Sequence, residues 1–479
     1  MIRITKVSES YIKIDAEPGV IREMSEIFTF EVPNAKFSPA YKARKWDGKI
    51  RLLDSRSGKL YAGLVKKVHE FASERGYEID DQTDFNTQEP FSIEEAQEFI
   101  ESLSLPFQPR DYQTKSFILA IRKKRMTLVS PTGSGKSLIA YLIARYHNAF
   151  ERKVLVIVPN ISLVIQLQKD FEDYGYDGEV QKIYGGKSKQ VNQPIVVSTW
   201  QSIYEESDEF LDQFDVIIGD EAHNFKAKSL SSLMVRLVNA KYRIGMTGTL
   251  DGSEVHELVL NGLFGPTKQI VQTKELIDNK SLADVKIRVL VLKHKKKKFE
   301  SYQDEMEAIV SSSARNRFIR NLAVSLKGNT LILFAYVDKH GKILYEDISK
   351  KKEDVFFVSG EVEGEVRDEI RTIVESSTNA TIVASYGVFS TGVNIKNLHN
   401  IIFASPTKSR TRTLQSIGRG LRLAEDKIQC NVFDIGDDFE KNYTYRHMFE
   451  RISMYASEGF TYDITSIDLQ EKDNGSSVL

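Results

Sequence analysis

Two tandem α/β lobes, each built on a mostly parallel sheet, with a small α+β domain ahead of them, are what this sequence predicts. Three observations carry that expectation. Short apolar, β-prone runs recur at βαβ spacing in two successive stretches, 109–283 and 284–479, a pattern that calls for helices on both faces of a parallel sheet. Residues 130–137, Ser-Pro-Thr-Gly-Ser-Gly-Lys-Ser, stand between a β-prone run (Met126–Val129) and a helical one (Leu138–Arg145), the strand–turn–helix context of a phosphate-binding loop. The first 85 residues differ from the rest, with short strands and basic residues interleaved with aromatics.

At 479 residues the chain has room for about three domains of ~150 residues. Its 41% hydrophobic and 28% charged content is that of an ordinary globular protein. The single cysteine, Cys430, excludes an internal disulfide framework and suits a reducing cytosol. No apolar run approaches the ~20 residues of a membrane helix, and Met1-Ile2-Arg3-Ile4 alternates like a strand, unlike a signal-peptide core. A cytoplasmic protein is expected. The net charge of -1 announces no nucleic-acid partner, but its distribution is more informative: Lys36 to Arg75 holds eleven Lys/Arg against four Asp/Glu, a local basic field of +7.

In residues 1–85, Ile2–Val7 and Tyr11–Ile14 read as strands, Pro18–Phe28 as a helix, and Leu64–Arg75 as a helix that Gly76 ends. Trp46-Asp47-Gly48 is a turn leading into Lys49-Ile50-Arg51-Leu52-Leu53. Lys45, Trp46, Lys49 and Arg51 are the candidates here for DNA contact, through phosphate pairing and aromatic stacking; a solvated surface with core aromatics is the alternative. Residues 86–108 read as a connector containing a helix, Ile93–Leu103.

In residues 109–283 the strand-like runs are Met126–Val129, Val154–Val158, Ile195–Ser198, Val216–Ile218 and Arg243–Met246. Pro131, Thr132, Gly133, Ser134, Gly135, Lys136 and Ser137 form the phosphate cradle. The glycines let backbone N–H groups converge on phosphate oxygens, and the helix N-terminus adds positive potential. Lys136 reaches the β- and γ-phosphates, and the Ser137 hydroxyl can ligate Mg²⁺. The apolar strand before Asp220-Glu221-Ala222-His223 brings two carboxylates to the ligand end of the sheet. Asp220 is the expected Mg²⁺ partner beside Ser137, with Glu221 near the ion and able to activate the attacking water.

In residues 284–479, Leu282–Leu292 is β-prone and runs into His294-Lys295-Lys296-Lys297-Lys298, read as a solvated turn or a DNA-facing edge. A helical region from Glu300 to Leu326 is interrupted near Ser311–Ser313, and strands are expected at Thr330–Phe334, Val355–Val358, Thr381–Ala384, Ile401–Ala404 and Asn431–Asp434. After Arg422 an ordinary helix and a polar tail are expected. This stretch has no phosphate loop. One ATP between two lobes, with positive charge supplied in trans, is therefore expected. Gln415-Ser416-Ile417-Gly418-Arg419-Gly420-Leu421-Arg422 supplies that charge, and its two arginines share a face if the segment is helical.

Residues 130–137 together with Asp-Glu-Ala-His at 220–223 resemble superfamily 2 helicases and translocases, and further motifs follow in that family's order. Arg110-Asp111-Tyr112-Gln113 resembles its adenine-recognition stretch, which implies Gln113 on the adenine edge with Arg110 or Phe107 near the ring. Val158-Pro159-Asn160 and Ser198-Thr199-Trp200-Gln201 resemble strand-contact motifs, implying DNA contacts at Pro159 and Thr199. Met246-Thr247-Gly248-Thr249 resembles the motif coupling hydrolysis to strand contact. Ser385 to Asn394 resembles the motif touching both DNA and ATP, implying Ser385, Thr391 and Gly392 on DNA and Asn394 at the nucleotide. Asn394 stands where many members have Asp, and Ser416 where many have Arg. Gln415, Arg419 and Arg422 match the catalytic motif carrying the family's two arginine fingers. The resemblance implies two RecA-like lobes, with ATP and Mg²⁺ as cofactors.

A closer similarity, to the phage UvsW-type branch-migration helicases, is carried by Lys45 to Asp54, by Gly262-Leu263-Phe264-Gly265 with Glu275-Leu276-Ile277-Asp278, and by Ala384 to Gly392. It implies Holliday-junction migration, fork regression and displacement of strands from D-loops and R-loops in recombination and repair. The implied partners are branched or partly single-stranded DNA and RNA–DNA hybrids, with movement 3′ to 5′ by a monomer in the host cytoplasm. A general 3′–5′ DNA or RNA helicase, and a motor that moves on duplex without separating strands, remain alternatives.

Overall fold

The computed structural model describes residues 1–469 apart from 33–34, 187–188, 251, 392–394 and 425–426; the side chains of 226, 364, 368 and 389–391 also lie outside the description. Two compact units result, one of residues 1–130 with 135–270, the other of 131–134 with 271–479.

The first unit begins with a four-stranded sheet. Ile2–Lys6 pairs antiparallel with Tyr11–Asp15 and parallel with Ile79–Asp81, and Lys59–Tyr61 closes the other edge. The period-two alternation buries Ile2, Ile4, Ile12 and Ile14 on one face. Two amphipathic helices cover it. Pro18–Ile27 starts with Pro, whose fixed φ suits the first helical position. Val65–Arg75 ends at Gly76 in the left-handed region, φ 70°. A second small ladder pairs Thr29–Glu31 with Lys49–Arg51, as the turn signal at Gly48 predicts.

The larger sheet of this unit has seven parallel strands. In spatial order they are Thr267–Gln269, Arg125–Val129, Tyr242–Thr247, Val216–Asp220, Val154–Val158, Ile195–Thr199 and Gln181–Ile183. The five central ones are the predicted runs, nearly all buried because helices cover both faces. The two edge strands are three residues long and carry little apolar signal. Arg125–Val129, Tyr242–Thr247 and Val216–Asp220 are neighbours, so the segments leaving their C-terminal ends lie side by side.

The small sheet is packed onto the opposite, N-terminal ends of those strands. Glu9 accepts from Arg125 Nη2 at 2.8 Å and Ser10 Oγ from Arg243 Nη2 at 2.9 Å. Leu258 of the helix Glu254–Phe264 joins the core of the N-terminal sheet, and Tyr61 packs against both cores. Close approach is possible because Gly63 has no side chain: a Cβ there would stand 2.0 Å from the Asn261 carbonyl oxygen.

The second unit holds another seven-stranded parallel sheet, in the order Val355–Val358, Thr381–Ser385, Thr330–Phe334, Asn400–Phe403, Gln429–Asp438, Asp284–Lys293, Thr461–Asp468. Its last strand falls where only helix and tail were expected. The helical region divides as predicted, Tyr302–Ser311 and Ser313–Ser325, with Ser312 ending the first helix and capping the second through Arg315 N. Two bidentate pairs fix the crest of the strand Gln429–Asp438: Arg315 on Asp437 (2.7 and 3.0 Å) and Arg451 on Asp434 (2.8 and 2.7 Å). No helix among the described residues is long and apolar enough to cross a membrane.

Candidate nucleotide and strand-contact site

The phosphate loop leaves the buried strand Arg125–Val129 and is tied to its neighbour by Ser130 N, which donates to Thr247 O at 2.9 Å. Gly133 (φ 85°) and Gly135 (φ 79°) take the left-handed turns the loop needs. Gly135 caps the helix Lys136–Ala149, and a Cβ on it would meet Gln113 Nε2 at 2.4 Å. Lys136 Nζ donates to the Ser130 carbonyl at 3.1 Å, so its ammonium lies over its own loop. The Ser137 hydroxyl is 2.7 Å from the Tyr174 phenol, a phenol that burial pushes up to about 12, so it stays protonated.

Arg110 and Gln113 open the helix Asp111–Lys123. Gln113 Oε1 accepts from Arg110 N at 2.8 Å, and Nε2 reaches toward the Gly135 carbonyl at 3.5 Å. Gln113 is thereby a tie between this helix and the phosphate loop. Arg110 is exposed, with Nη1 on Tyr112 Oη at 3.0 Å. Phe107 is 45% exposed and meets the Tyr174 ring edge-on at 5.6 Å, an open aromatic face beside the loop.

Asp220 ends its strand, and Glu221 follows in the left-handed region (φ 49°). Burial, reinforced by the Glu221 charge and partly offset by Lys136, raises the Asp220 carboxyl to about 6. A site that disfavours its own carboxylate charge is one that a cation would relieve. Ser137, Asp220 and Glu221 supply the oxygen donors that suit Mg²⁺. Among the described residues no group of three or more His, Cys, Asp or Glu could hold a metal alone.

His223 links this strand end to the next. Its Nδ1 is 2.9 Å from Thr247 Oγ1 and 3.3 Å from Glu221 Oε2. Thr247 Oγ1 donates to the Thr249 carbonyl at 3.0 Å. Its proton is therefore committed, and the histidine must donate through Nδ1–H. His223, Thr247 and Thr249 thus form one hydrogen-bonded path, with the Glu221 carboxylate 3.3 Å from the same imidazole nitrogen and Gly248 inside the turn. Thr249 Oγ1 is buried with no partner among the described residues.

Pro159 follows the strand Val154–Val158, and the Asn160 side chain caps the next helix through Leu163 N at 3.0 Å. Thr199 is 4% exposed, its hydroxyl 2.8 Å from Ser202 Oγ. Ser385 closes its strand, and Thr391 ends the helix Tyr386–Thr391; Gly392 and Asn394 lie outside the described residues. In the N-terminal sheet Trp46 Nε1 donates to Lys49 O at 2.8 Å, and Lys49 sits 3.8 Å from Glu31. Arg51 binds Asp47 through both oxygens, which holds that carboxyl well below the usual range. Of these four, Lys45 is the exposed residue with no ion pair among the described residues.

The helix Arg410–Gly420 carries Gln415, buried, and Arg419, half-buried in its last turn. Arg422 lies past the helix end, so the expected shared helical face gives way to a helix terminus and the turn after it. Lys427 Nζ holds that turn, donating to the carbonyls of Gly420 and Arg422 (2.5 and 2.8 Å). Sequence reasoning assigned no role to His223 or Tyr174. His223 was visible as part of Asp-Glu-Ala-His; Tyr174 carries no motif.

Three family descriptions match successive stretches: DNA helicase UvsW, N-terminal (2–81), type III restriction enzyme, res subunit (94–252), and helicase conserved C-terminal domain (313–424). The chain is 33% identical to the ATP-dependent DNA helicase uvsW of Enterobacteria phage T4 over 96% of its own length and 98% of that protein. It is 28% identical to the DNA 3'-5' translocase XPB2 of Sulfurisphaera tokodaii over 46% of its length and 50% of that protein. The crystal structure of T4 UvsW matches 98% of this chain and 99% of that one, with TM-score 0.53 and 32% identity. Yeast Dbp5 bound to RNA and ADP BeF3 matches over 79% of this chain and 94% of that one, with TM-score 0.57 and 15% identity, a likeness of fold alone.

Proposed function

Because the chain belongs to the family of the phage UvsW DNA helicases, we propose that this ATP-dependent DNA helicase remodels branched DNA: it migrates Holliday junctions, regresses forks, and dissociates D-loops and R-loops in recombination and repair. The observation that carries the reading is the union, in one chain, of the UvsW N-terminal region with both motor regions. A substrate of branched DNA or RNA–DNA hybrid, a monomeric state and a host-cytoplasmic location are part of the proposal.

ATP would bind with its phosphates on the backbone N–H groups of 132–137. Lys136 leaves the Ser130 carbonyl and takes up phosphate charge. Ser137, Asp220 and Glu221 would hold Mg²⁺, which would supply neutralisation of phosphate charge when bound. Glu221 accepts a proton from the attacking water, and its contact with His223 passes the change to Thr247 and Thr249. Gln415, Arg419 and Arg422 are assigned to the transferring phosphoryl group. Pro159, Thr199, Ser385, Thr391 and Gly392 are assigned to the tracked strand, Gln113, Arg110 and Asn394 to the nucleoside, and Lys45, Trp46, Lys49 and Arg51 to a duplex arm. Lobe 1 is taken as 109–283 and lobe 2 as 284–479, after the DNA-binding domain 1–85 and the connector 86–108.

The test compares ATP-driven processing of a mobile four-way DNA junction with that of a 3′-tailed duplex, using Lys136→Ala as control. Faster junction processing is expected. Efficient unwinding of the tailed duplex beside an inert junction would make this a general helicase. Duplex-stimulated ATP turnover with neither substrate moved would make it a duplex motor.

A further inference from the structure

Among the described residues, the Ser137 side chain has one hydrogen-bond partner, the phenol of Tyr174 at 2.7 Å, a residue outside every motif above. We infer that Tyr174 is a positioning residue for Ser137, fixing its hydroxyl so that an Oγ lone pair faces the metal of a metal–nucleotide complex. The inference rests on Ser137 being the metal ligand.

A serine hydroxyl that ligates a cation gives up a lone pair, so its proton must point away from the ion and find an acceptor. The phenol oxygen is already in place to accept it. Neither Asp220 nor Glu221, the carboxylates beside it, is in a hydrogen bond with the Ser137 side chain among the described residues, so the hydroxyl takes its direction from Tyr174. The tyrosine is itself held. It terminates the helix Ile161–Asp173, its N–H on the Asp170 carbonyl at 3.0 Å. Its ring meets Tyr141 at 5.4 Å and Phe107 at 5.6 Å, both edge-on. Tyr141 lies one turn beyond Ser137 in the same helix, so ring packing and hydroxyl contact register the two helices together. A ligand whose orienting partner is packed against the core needs no reorganisation when the ion arrives.

Tyr174→Phe keeps the ring contacts and removes the hydroxyl alone. Binding of a fluorescent ATP analogue to the full chain is measured by anisotropy, with Mg²⁺ and with EDTA. The metal-free affinity is expected to stay at the wild-type value, while the gain conferred by Mg²⁺ falls about fivefold, the size of one neutral hydrogen bond. Combined with Ser137→Ala, the substitution is expected to add nothing to Ser137→Ala alone. An undiminished Mg²⁺ gain, an equal loss with and without the ion, or additive losses in the double variant would each overturn the inference. Failure of the wild-type chain to bind the analogue would instead overturn the nucleotide-site assignment.

Discussion

Arg243 Nη2 donates to Ser10 Oγ at 2.9 Å, joining the first hairpin of the chain to the foot of a central strand 233 residues away. Arg243 is fully buried. It also donates to the carbonyls of Ala240 and Met234 (2.9 Å each) and to that of Leu237. These carbonyls lie at and beyond the end of the helix Lys228–Arg236, where backbone acceptors lack helical donors. Burial and the neighbouring Arg125 pull the guanidinium pKa down, but a group with so high an intrinsic pKa, ringed by carbonyl oxygens, stays charged. Arg243→Leu strands several acceptors and is expected to cost the first unit about 3–5 kcal/mol. Ser10→Ala removes the acceptor for Arg243 and the hydroxyl donor to the Val235 carbonyl at 2.9 Å, and should cost about 1–2 kcal/mol. Urea unfolding followed by tryptophan fluorescence reads this directly, since Trp46 and Trp200 both belong to that unit. A cost below about 1 kcal/mol for Arg243→Leu would show that water already satisfies those carbonyls.

Gly63 sets how closely the N-terminal sheet can dock. Its missing Cβ would lie 2.0 Å from Asn261 O and 2.8 Å from Gly262 O, backbone atoms that cannot rotate aside. Gly63→Ala should therefore push Tyr61 and Leu258 apart and destabilise by about 1–3 kcal/mol, the usual scale of overpacking. Limited proteolysis should then cut between 82 and 92 at lower protease concentration than in wild type. Unchanged cleavage together with unchanged stability would mean the contact has slack. By the same packing, deleting residues 1–85 bares Leu258 and strips the partner from Arg243, so point substitutions are the better probes of what that domain does.

His223 stands between Glu221 and Thr247, 3.3 Å from the carboxylate and 2.9 Å from the hydroxyl. His223→Ala leaves Lys136, Ser137 and Asp220 untouched, so nucleotide binding should hold. Loss of the hydrogen bond to Thr247 together with the contact to the Glu221 charge is expected to lower DNA-stimulated turnover about 10- to 100-fold, equivalent to about 1.5–3 kcal/mol. Steady-state ATPase with and without single-stranded DNA reads the split. Equal loss of basal and stimulated rates would assign His223 to the chemical step and not to coupling.

What the sequence made legible follows from how local each signal is. The phosphate loop and Asp220-Glu221 could be read because their chemistry demands fixed residues at fixed spacing. The core strands could be read because burial on both faces gives unbroken runs such as Val154–Val158. The edge strands Gln181–Ile183 and Thr267–Gln269 were too short to signal. Thr461–Asp468, exposed over most of its length, offered no hydrophobic face to betray it. Arg243, Arg315 and Arg451 were illegible as core residues, because an arginine that will be buried reads like any surface arginine until its carbonyl or carboxylate partners are known. Tyr174 acts through a tertiary contact between two helices, which no spacing within either helix encodes. The net +7 of the N-terminal stretch likewise overstated its free charge, since it could not reveal the Arg51–Asp47 pair.

His147 gives the first unit a defined acid response. It is 1% exposed, and its Nδ1 accepts from Arg152 Nη1 at 3.1 Å, so the ring is neutral with its proton on Nε2. Burial, then the Arg152 charge, holds its pKa down at about 3. The unfolded chain binds a proton at this residue near pH 6.5 and the folded chain does not until about 3. Above pH 6.5 the two states bind equally and the residue adds no pH dependence. As pH falls from 6.5 toward 3, only the unfolded state takes up the proton, so stability falls with pH by up to about 1.4 kcal/mol per unit. Between pH 6.5 and 4.5 this residue should cost the first unit about 2–3 kcal/mol. His147→Gln lacks the titrating group; it will be less stable at pH 7 because the packing changes, yet it should lose less on acidification by that amount. Carboxylate titration is common to both proteins and cancels in the difference. Urea unfolding at pH 7.0, 5.5 and 4.5, read by tryptophan fluorescence, decides it: parallel losses in the two proteins would mean that the wild-type histidine is already hydrated and titrates normally in the fold.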